Sequence, residues 1–219
     1  MKKLLAALCA LLLVTGCASN ECPAPEPCPT PETPVVVELP APRDTNAKYK
    51  NADGNEVACD VNSYAAACSS INAKNLHEYL GRDDVLYIDL RDFSDYSKKH
   101  LRNFECLPYF ALIFDTKGAE DHVQLYSGTP AEPVATYAES DDLLHALIPT
   151  DKTIFFMCQS GGRVAQMMTL LANKGYDMSK IYNVGGMGQY TSKELGAFTT
   201  NTEEVTIEAN YSFSNLTRK

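Results

Sequence analysis

Basic side chains are scarce in this chain. Its 219 residues include 19 lysines and arginines against 28 aspartates and glutamates, which gives a formal net charge of −9 at pH 7. A surface of this sign repels the phosphate groups of nucleic acids and of anionic lipids. The composition therefore argues against nucleic acid as a partner.

Histidine is also rare, with only four residues in the chain. Three of them, His77, His122 and His145, stand far apart and lack the short spacings that are typical of metal ligands. We therefore expect no metal site, and no other pattern in the chain calls for a cofactor.

A long apolar stretch is missing as well. Lys2 and Lys3 precede an apolar core over residues 4–14, which is shorter than the about 20 residues of a membrane-spanning helix. The core ends in Val14-Thr15-Gly16-Cys17, which resembles the lipobox of bacterial lipoproteins. The resemblance implies a signal peptide over residues 1–16 and a lipid on Cys17. It places the protein in the bacterial cell envelope, outside the cytoplasm, in the periplasm or at the cell surface.

Composition divides the rest of the chain. Residues 17–45 are rich in proline, glutamate, alanine and threonine, a composition typical of extended tethers. We assign residues 46–68 to an N-terminal extension, residues 69–195 to one folded domain, and residues 196–219 to a C-terminal strand and tail. Nothing in the sequence indicates an oligomeric state.

One short segment carries the chemistry. The apolar run Thr153-Ile-Phe-Phe-Met157 leads directly into Cys158, Gln159, Ser160, Gly161, Gly162 and Arg163, and a helical pattern follows. A strand of this kind delivers a cysteine to the edge of a sheet, where loop N–H groups and the next helix N-terminus attract an anion. These groups and Arg163 are expected to stabilise the thiolate, which is the nucleophilic form of cysteine.

The spacing of the loop restricts its ligand. Cys158 and Arg163 enclose four residues, whereas the phosphate loops of tyrosine phosphatases enclose five. The smaller ring fits sulfur carried as a persulfide better than a tetrahedral phosphate. A phosphatase or an arsenate reductase is therefore the less favoured interpretation.

Three further segments support one family resemblance. They are Val85 to Arg91, with the pattern Asp-x-Arg at Asp89 and Arg91; the stretch from Tyr96 through His100 to Leu107-Pro108-Tyr109; and Ile181 to Tyr190, with its Gly-Gly turn. In this order, and with the cysteine loop, they resemble the rhodanese-like domain over residues 69–195. Asn103 and Phe104 depart from the usual Gly-Ala of that family.

The resemblance implies both fold and activity. We expect an α/β domain with a mostly parallel central sheet flanked by helices. Cys158 would hold sulfur as a persulfide, taken from a small donor such as thiosulfate and passed to a thiol or cyanide. Asp89, Arg91 and His100 would support the loop. Basic residues are common in the loops of family members that use thiosulfate, whereas Arg163 is the only cation in this loop. Thiosulfate is therefore the less favoured donor. A non-catalytic binding or redox-sensing module is the alternative.

Local patterns predict several elements. Helices are expected over residues 71–80, 93–99 and 140–147, with Ser140 as N-cap of the last one, and another helix after the loop ends near Gly175. Residues 110–139 exceed the minimal family pattern and predict a hairpin or a long loop, either functional or decorative. Strict alternation over residues 205–213 predicts an extra C-terminal strand, with residues 57–61 as a possible partner.

The cysteines divide by role. Because an exported protein permits disulfides, we expect Cys59 to pair with Cys68. Cys22 and Cys28 lie in the tether, either paired or free. Cys106 is expected to be a buried thiol in a strand over residues 104–107.

Overall fold

Parallel strands form the centre of the domain. The computed structural model describes residues 37–115, 123–191, 193–201 and 208–219. Within them, one sheet has four strands, which are β3 (Val85–Asp89), β5 (Glu105–Cys106), β8 (Thr153–Cys158) and β9 (Ile181–Gly186). Their order in the sheet is β5-β3-β8-β9, and each neighbouring pair is parallel. The central strands are mostly apolar, as is typical of parallel strands covered on both faces. The predicted α/β fold is confirmed.

The register of these strands decides which residues share an edge. Asp89 lies opposite Met157 in the β3–β8 pair, and Cys158 lies opposite Gly186 in the β8–β9 pair. Since the strands are parallel, their carboxyl ends meet at the same edge of the sheet. The aspartate, the cysteine and the Gly-Gly turn are thereby brought to one place.

Helices follow the strands. They are α1 (Phe93–Lys98), α2 (Ser140–Leu147), α3 (Gly162–Asn173) and α4 (Lys193–Gly196). The predicted bounds of α2 are confirmed, but Ser140 is not its N-cap, since that position belongs to Glu139. The Ser140 hydroxyl instead donates to the Leu125 carbonyl at 2.8 Å and accepts the Tyr137 N–H at 3.0 Å.

Helix α3 packs as its pattern predicts. Its buried side chains are Val164, Met167, Met168, Leu170 and Leu171. The methionines are therefore core residues, which suits their ability to fill irregular gaps. The helix ends at Asn173, and Gly175 has the positive φ of 81° that commonly terminates helices.

The helix predicted over residues 71–80 is wrong in extent. Only Leu76–Tyr79 is helical, as a 3-10 turn. Asn75 accepts the Asn72 N–H at 2.9 Å and donates to the Ser70 carbonyl at 3.0 Å. Asparagine side chains that bond the backbone in this way compete with the hydrogen bonds of an α-helix.

The segment over residues 110–139 contains a hairpin, one of the two forms expected. A π-helical turn (Tyr109–Ile113) precedes the antiparallel pair β6 (Tyr126–Thr129) and β7 (Glu132–Ala135). Leu125 and Tyr126 are fully buried in the main core, so this face of the hairpin has a packing role.

A disulfide cross-links two residues within the N-terminal extension. Strands β1 (Lys48–Lys50) and β2 (Glu56–Ala58) pair antiparallel, and a 3-10 turn (Ala66–Cys68) follows. The predicted Cys59–Cys68 disulfide is confirmed. Cys106, in contrast, is half-buried and not fully buried. The folded unit begins at Val37, so residues 37–45 of the expected tether belong to it.

The extra C-terminal strand occurs earlier than predicted. Strand β10 (Thr199–Asn201) pairs antiparallel with β4 (Lys99–Leu101). Residues 208–213 do not form a strand, and residues 202–207 lie outside the described ranges. Strand β2 pairs with β1 and not with the tail. The end of the chain is held by the Lys219 N–H, which donates to the Thr136 carbonyl at 2.9 Å.

Part of the predicted organisation concerns residues that the structure does not describe. The signal peptide, Cys17 and the tether up to residue 36 are among them. Across the described ranges, no helix combines the length and apolar character that crossing a bilayer requires.

Candidate active site

Cys158 is the last residue of β8 and lies at the carboxyl edge of the sheet. Its residue surface is 1% exposed. The Gly161 N–H donates to Cys158 Sγ with a separation of 3.1 Å. A backbone donor in this position interacts favourably with an anionic group at the sulfur. The predicted role of the loop backbone therefore has a geometric basis at Gly161.

Gly161 needs to be glycine. Its φ is 91°, in the left-handed region, and it is the N-cap of α3. A Cβ atom built there would lie 2.6 Å from the Ala66 Cβ atom. This backbone turn directs the N–H inward and starts a twelve-residue helix whose positive end faces the loop.

The Gly-Gly turn after β9 supports the other side of the loop. A Cβ atom on Gly186 would lie 2.2 Å from the carbonyl carbon of Gln159 and from the Ser160 nitrogen. The Gly188 N–H donates to the Gln159 carbonyl at 3.3 Å. The loop backbone thus packs directly against the turn, which leaves no space for a side chain.

Arg163 points toward the end of β3. Its Nη1 donates to the Leu90 carbonyl at 3.4 Å and lies 3.6 Å from Asp92 Oδ2. The guanidinium carbon also lies 5.4 Å from the centre of the Phe110 ring. Arg163 therefore links the start of α3 to the neighbouring strand end, and its charge is shared with Asp92.

Asp89 and Arg91 form an ion pair at the same end of β3. Arg91 Nε donates to both Asp89 oxygens, and Arg91 Nη2 also donates to the Lys99 carbonyl at 2.6 Å. Burial raises the pKa of Asp89, and the adjacent Arg91 opposes this effect. The pair connects β3 to the segment after α1 and thereby supports the strand end that Arg163 contacts.

His100 has a local role in the structure. Its Nδ1 lies 2.9 Å from the Tyr96 carbonyl oxygen, and its ring stacks on that of Tyr96 with centroids 3.9 Å apart. The Tyr96 hydroxyl in turn donates to the Phe104 carbonyl at 2.6 Å. These contacts position the turn between α1 and β5.

Cys106 is the other described free thiol. Its Sγ donates to the Arg91 carbonyl at 3.5 Å. Burial, with the nearby Asp89, raises the pKa of Cys106 to about 12. It therefore stays a neutral thiol at physiological pH, unlike a nucleophilic cysteine.

Sequence reasoning missed Asn183. Its Nδ2 donates to the Gly161 carbonyl at 3.0 Å and to the Tyr64 carbonyl at 2.8 Å. The available signal was an amide side chain in the middle of the apolar strand Ile181-Tyr182-Asn183-Val184. No group of side chains suited to a metal ion occurs in the described ranges.

Comparison with known proteins identifies the family of the chain. The family model described as the rhodanese-like domain matches residues 72–193, which is more than half of the chain. The chain therefore belongs to the rhodanese-like domain family, as the resemblance predicted. Membership indicates a sulfurtransferase or a related function.

Two solved structures are similar to the chain. One is the rhodanese-like domain of a protein from Anabaena sp., determined by solution NMR, with 16% identity over 68% of this chain and 90% of that chain and a TM-score of 0.40. The other is a rhodanese with anions from E. coli, with 14% identity over 53% of this chain and 98% of that chain and a TM-score of 0.33. Among curated proteins, none matches.

Proposed function

We propose that the protein is a lipid-anchored, extracytoplasmic sulfurtransferase that carries sulfur as a persulfide on Cys158. The observation that carries this proposal is the Gly161 N–H, which donates to Cys158 Sγ over 3.1 Å at the start of α3. The contact stabilises negative charge on Sγ, which the thiolate bears when it attacks the donor and again when the acceptor removes the outer sulfur.

In the first half-reaction, the Cys158 thiolate attacks the outer sulfur of a donor. The donor's sulfur–sulfur bond breaks, and its electron pair leaves with sulfite when the donor is thiosulfate, or with a thiolate when the donor is a persulfide. Cys158 then carries one additional sulfur as Cys158-S-S⁻. This step is covalent catalysis by an activated nucleophile.

In the second half-reaction, a thiolate or cyanide attacks the outer sulfur of that persulfide. The sulfur–sulfur bond breaks, the acceptor leaves with the sulfur atom, and the Cys158 thiolate is restored. The product is a new persulfide or thiocyanate. Each half-reaction balances in electrons and charge, so no redox cofactor is needed.

The charge of the site bears on the donor. Arg163 Nη1 lies 3.6 Å from Asp92 Oδ2, so the carboxylate partly neutralises the charge of the guanidinium. A cation already paired with a carboxylate attracts a dianion less strongly than a free cation does. A persulfide of low charge is therefore the preferred donor over thiosulfate.

The anchor is proposed from the lipobox-like sequence at Cys17. Lipidation there, followed by the proline-rich tether, would hold the domain near a membrane while leaving it accessible to small thiols. Metabolic labelling with palmitate tests this point. The expected result is a labelled wild-type protein and an unlabelled Cys17→Ser variant; an unlabelled wild type would contradict the anchor.

Intact mass of the purified chain tests the sulfurtransferase. After incubation with thiosulfate or a polysulfide, we expect one added sulfur atom, about 32 Da, on the wild type and on Cys106→Ser but not on Cys158→Ser. Cyanide or a thiol should remove it. Absence of the adduct on a reduced Cys158 with both donors would contradict the proposal.

The second candidate function is a binding or redox-sensing module without turnover. The burial of Cys158, at 1% exposure, favours it, because a donor needs access to the sulfur. The same mass experiment separates the two functions. A sensor would gain oxygen from peroxide at Cys158 without accepting sulfur from either donor.

A further inference from the structure

The N-terminal extension contacts the catalytic loop, although it lies outside the family match over residues 72–193. The Tyr64 carbonyl accepts the Asn183 Nδ2 hydrogen bond at 2.8 Å. Ala66 lies behind Gly161, so close that a Cβ atom on Gly161 would be 2.6 Å from the Ala66 Cβ. A segment added to the domain therefore forms one wall of its loop.

Asn183 connects this wall to the loop. The residue is 2% exposed, and its amide has partners on three segments. Nδ2 donates to the Gly161 carbonyl at 3.0 Å as well as to Tyr64, and Oδ1 accepts the Gly185 N–H at 3.0 Å. Both amide hydrogens and the amide oxygen are thus engaged, which restricts the side chain to one orientation.

These contacts act on the backbone of Gly161, whose carbonyl also accepts the Ala165 N–H at 3.1 Å. The Asn183 side chain donates to the Gly161 carbonyl, and the Gly161 N–H donates to Cys158 Sγ. Glycine at a positive φ is otherwise free to take several backbone conformations. The hydrogen bond to the Gly161 carbonyl and the packing of Ala66 restrict that freedom. They thereby keep the Gly161 N–H directed at the sulfur.

The extension is itself well anchored. Cys59 and Cys68 are 5% and 0% exposed and form a disulfide around the contacting segment. Arg43 Nη1 donates to the Ile181 carbonyl at 2.6 Å, and its guanidinium carbon lies 5.1 Å from the Tyr64 ring centre. The segment is therefore tied both to itself and to β9.

We propose that Asn183 and the disulfide-bonded segment, residues 59–68, position the Gly161 N–H against Cys158 Sγ. This inference rests on the proposed function and deepens it, since it assigns a positioning role to Asn183 and to a segment outside the family match over residues 72–193. Asn183 acts through Gly161 and does not touch the reacting atoms. The effect of removing it should be smaller than the 100- to 1,000-fold loss that follows removal of a direct anion donor.

The test measures how fast iodoacetamide alkylates Cys158 in the full chain between pH 5 and 10, with peptide mass spectrometry to resolve that residue. In Asn183→Ala we expect the alkylation midpoint to move to higher pH and the rate at pH 7 to fall about tenfold. Asn173→Ala is the matched control, because Asn173 donates to Thr169 on the exposed side of α3. It should match the wild type.

A second variant keeps the test decisive if Asn183→Ala does not fold. Ala66→Gly removes the methyl group that faces Gly161 and should shift the same midpoint in the same direction, with a rate loss of about twofold to threefold. Folded variants with an unchanged pH profile would overturn the inference. A shifted profile in a protein that never accepts sulfur would instead refute the sulfurtransferase and leave the positioning role intact.

Discussion

Asp89 and Arg91, two residues apart at the end of β3, form an ion pair almost wholly removed from water. Arg91 Nη2 lies 2.7 Å from Asp89 Oδ2, and the two side chains are 4% and 0% exposed for Arg91 and Asp89. The Arg91 N–H donates to Asp89 Oδ1 at 3.0 Å as well. A buried pair of this kind is costly to break, because the remaining charge loses its partner.

We predict that Arg91→Met destabilises the protein by about 3–5 kcal/mol, measured by urea unfolding at pH 7. In this variant Arg91 no longer opposes the rise in the pKa of Asp89 that burial causes. The folded variant therefore keeps a proton on Asp89 at pH values at which the unfolded chain has released it. A carboxyl group with a raised folded-state pKa gains stability as pH falls. The deficit of the variant should therefore narrow toward pH 5.

The surface pair Lys48–Glu56 is the matched control. Its atoms are 2.8 Å apart, but the side chains are 60% and 63% exposed. Lys48→Met should cost no more than about 1 kcal/mol because water screens exposed pairs. Equal losses for the two variants would contradict a special role for the buried pair.

Gly161→Ala should impair both folding and sulfur loading. The left-handed backbone at Gly161 costs an alanine about 1–2 kcal/mol, and the new methyl group would meet Ala66. Shifting the backbone to relieve this contact moves the N–H away from Cys158. We expect lower stability in urea and a lower extent of persulfide formation by intact mass.

Gly162→Ala provides the control for that substitution. Gly162 is the first residue of α3, and a Cβ atom there would have no neighbour within 4 Å. Alanine favours helix over glycine by up to about 1 kcal/mol, so this variant should be as stable as the wild type or slightly more stable. If the two alanine variants load sulfur equally, the backbone at Gly161 does not position the donor.

Local patterns predicted those helices and strands in which the spacing of apolar residues matches the face that is buried in the structure. Helix α2 and the core strands β3 and β8 are examples, as is the cysteine loop at the end of β8. The pattern failed over residues 71–80, because the hydrogen bonds of Asn72 and Asn75 replace those of a helix. Side-chain competition of this kind is not visible in apolar periodicity.

The site was predictable where its residues share the loop motif or one of the segments that carry the family resemblance. Cys158 and Gly161 lie three positions apart in one loop, so the loop motif identified both. The Asn183 contact with Tyr64 joins residues 119 positions apart. Pairings at this distance arise from the folded topology and leave no local pattern, which is why the support behind Gly161 was not predicted.

Cys106 should react slowly with iodoacetamide in the native protein. Because its pKa is about 12, its thiolate fraction at pH 8 is on the order of one in ten thousand. Its alkylation rate should rise about tenfold per pH unit from pH 8 to 9.5, whereas the rate for a free cysteine levels off above its pKa of about 8.5. A rate that levels off in the same range would show that the thiol ionises normally.

Asp141 should stabilise the protein in a pH-dependent way. Burial acts to raise the pKa of Asp141, but Lys174 at 2.7 Å and the Tyr126 hydroxyl at 2.5 Å together hold it below its ordinary value. A carboxylate with a lowered folded-state pKa contributes stability above its unfolded pKa of about 3.9, and this contribution is lost as pH falls through the folded pKa. Asp141→Asn should therefore lower Tm at pH 7, and the difference from the wild type should shrink below pH 4.

Asp142→Asn is the control for this prediction, because it alters the same turn of α2 without these partners. We expect it to change Tm less than Asp141→Asn does. Equal pH profiles for the two variants would mean that the Lys174 and Tyr126 contacts contribute nothing.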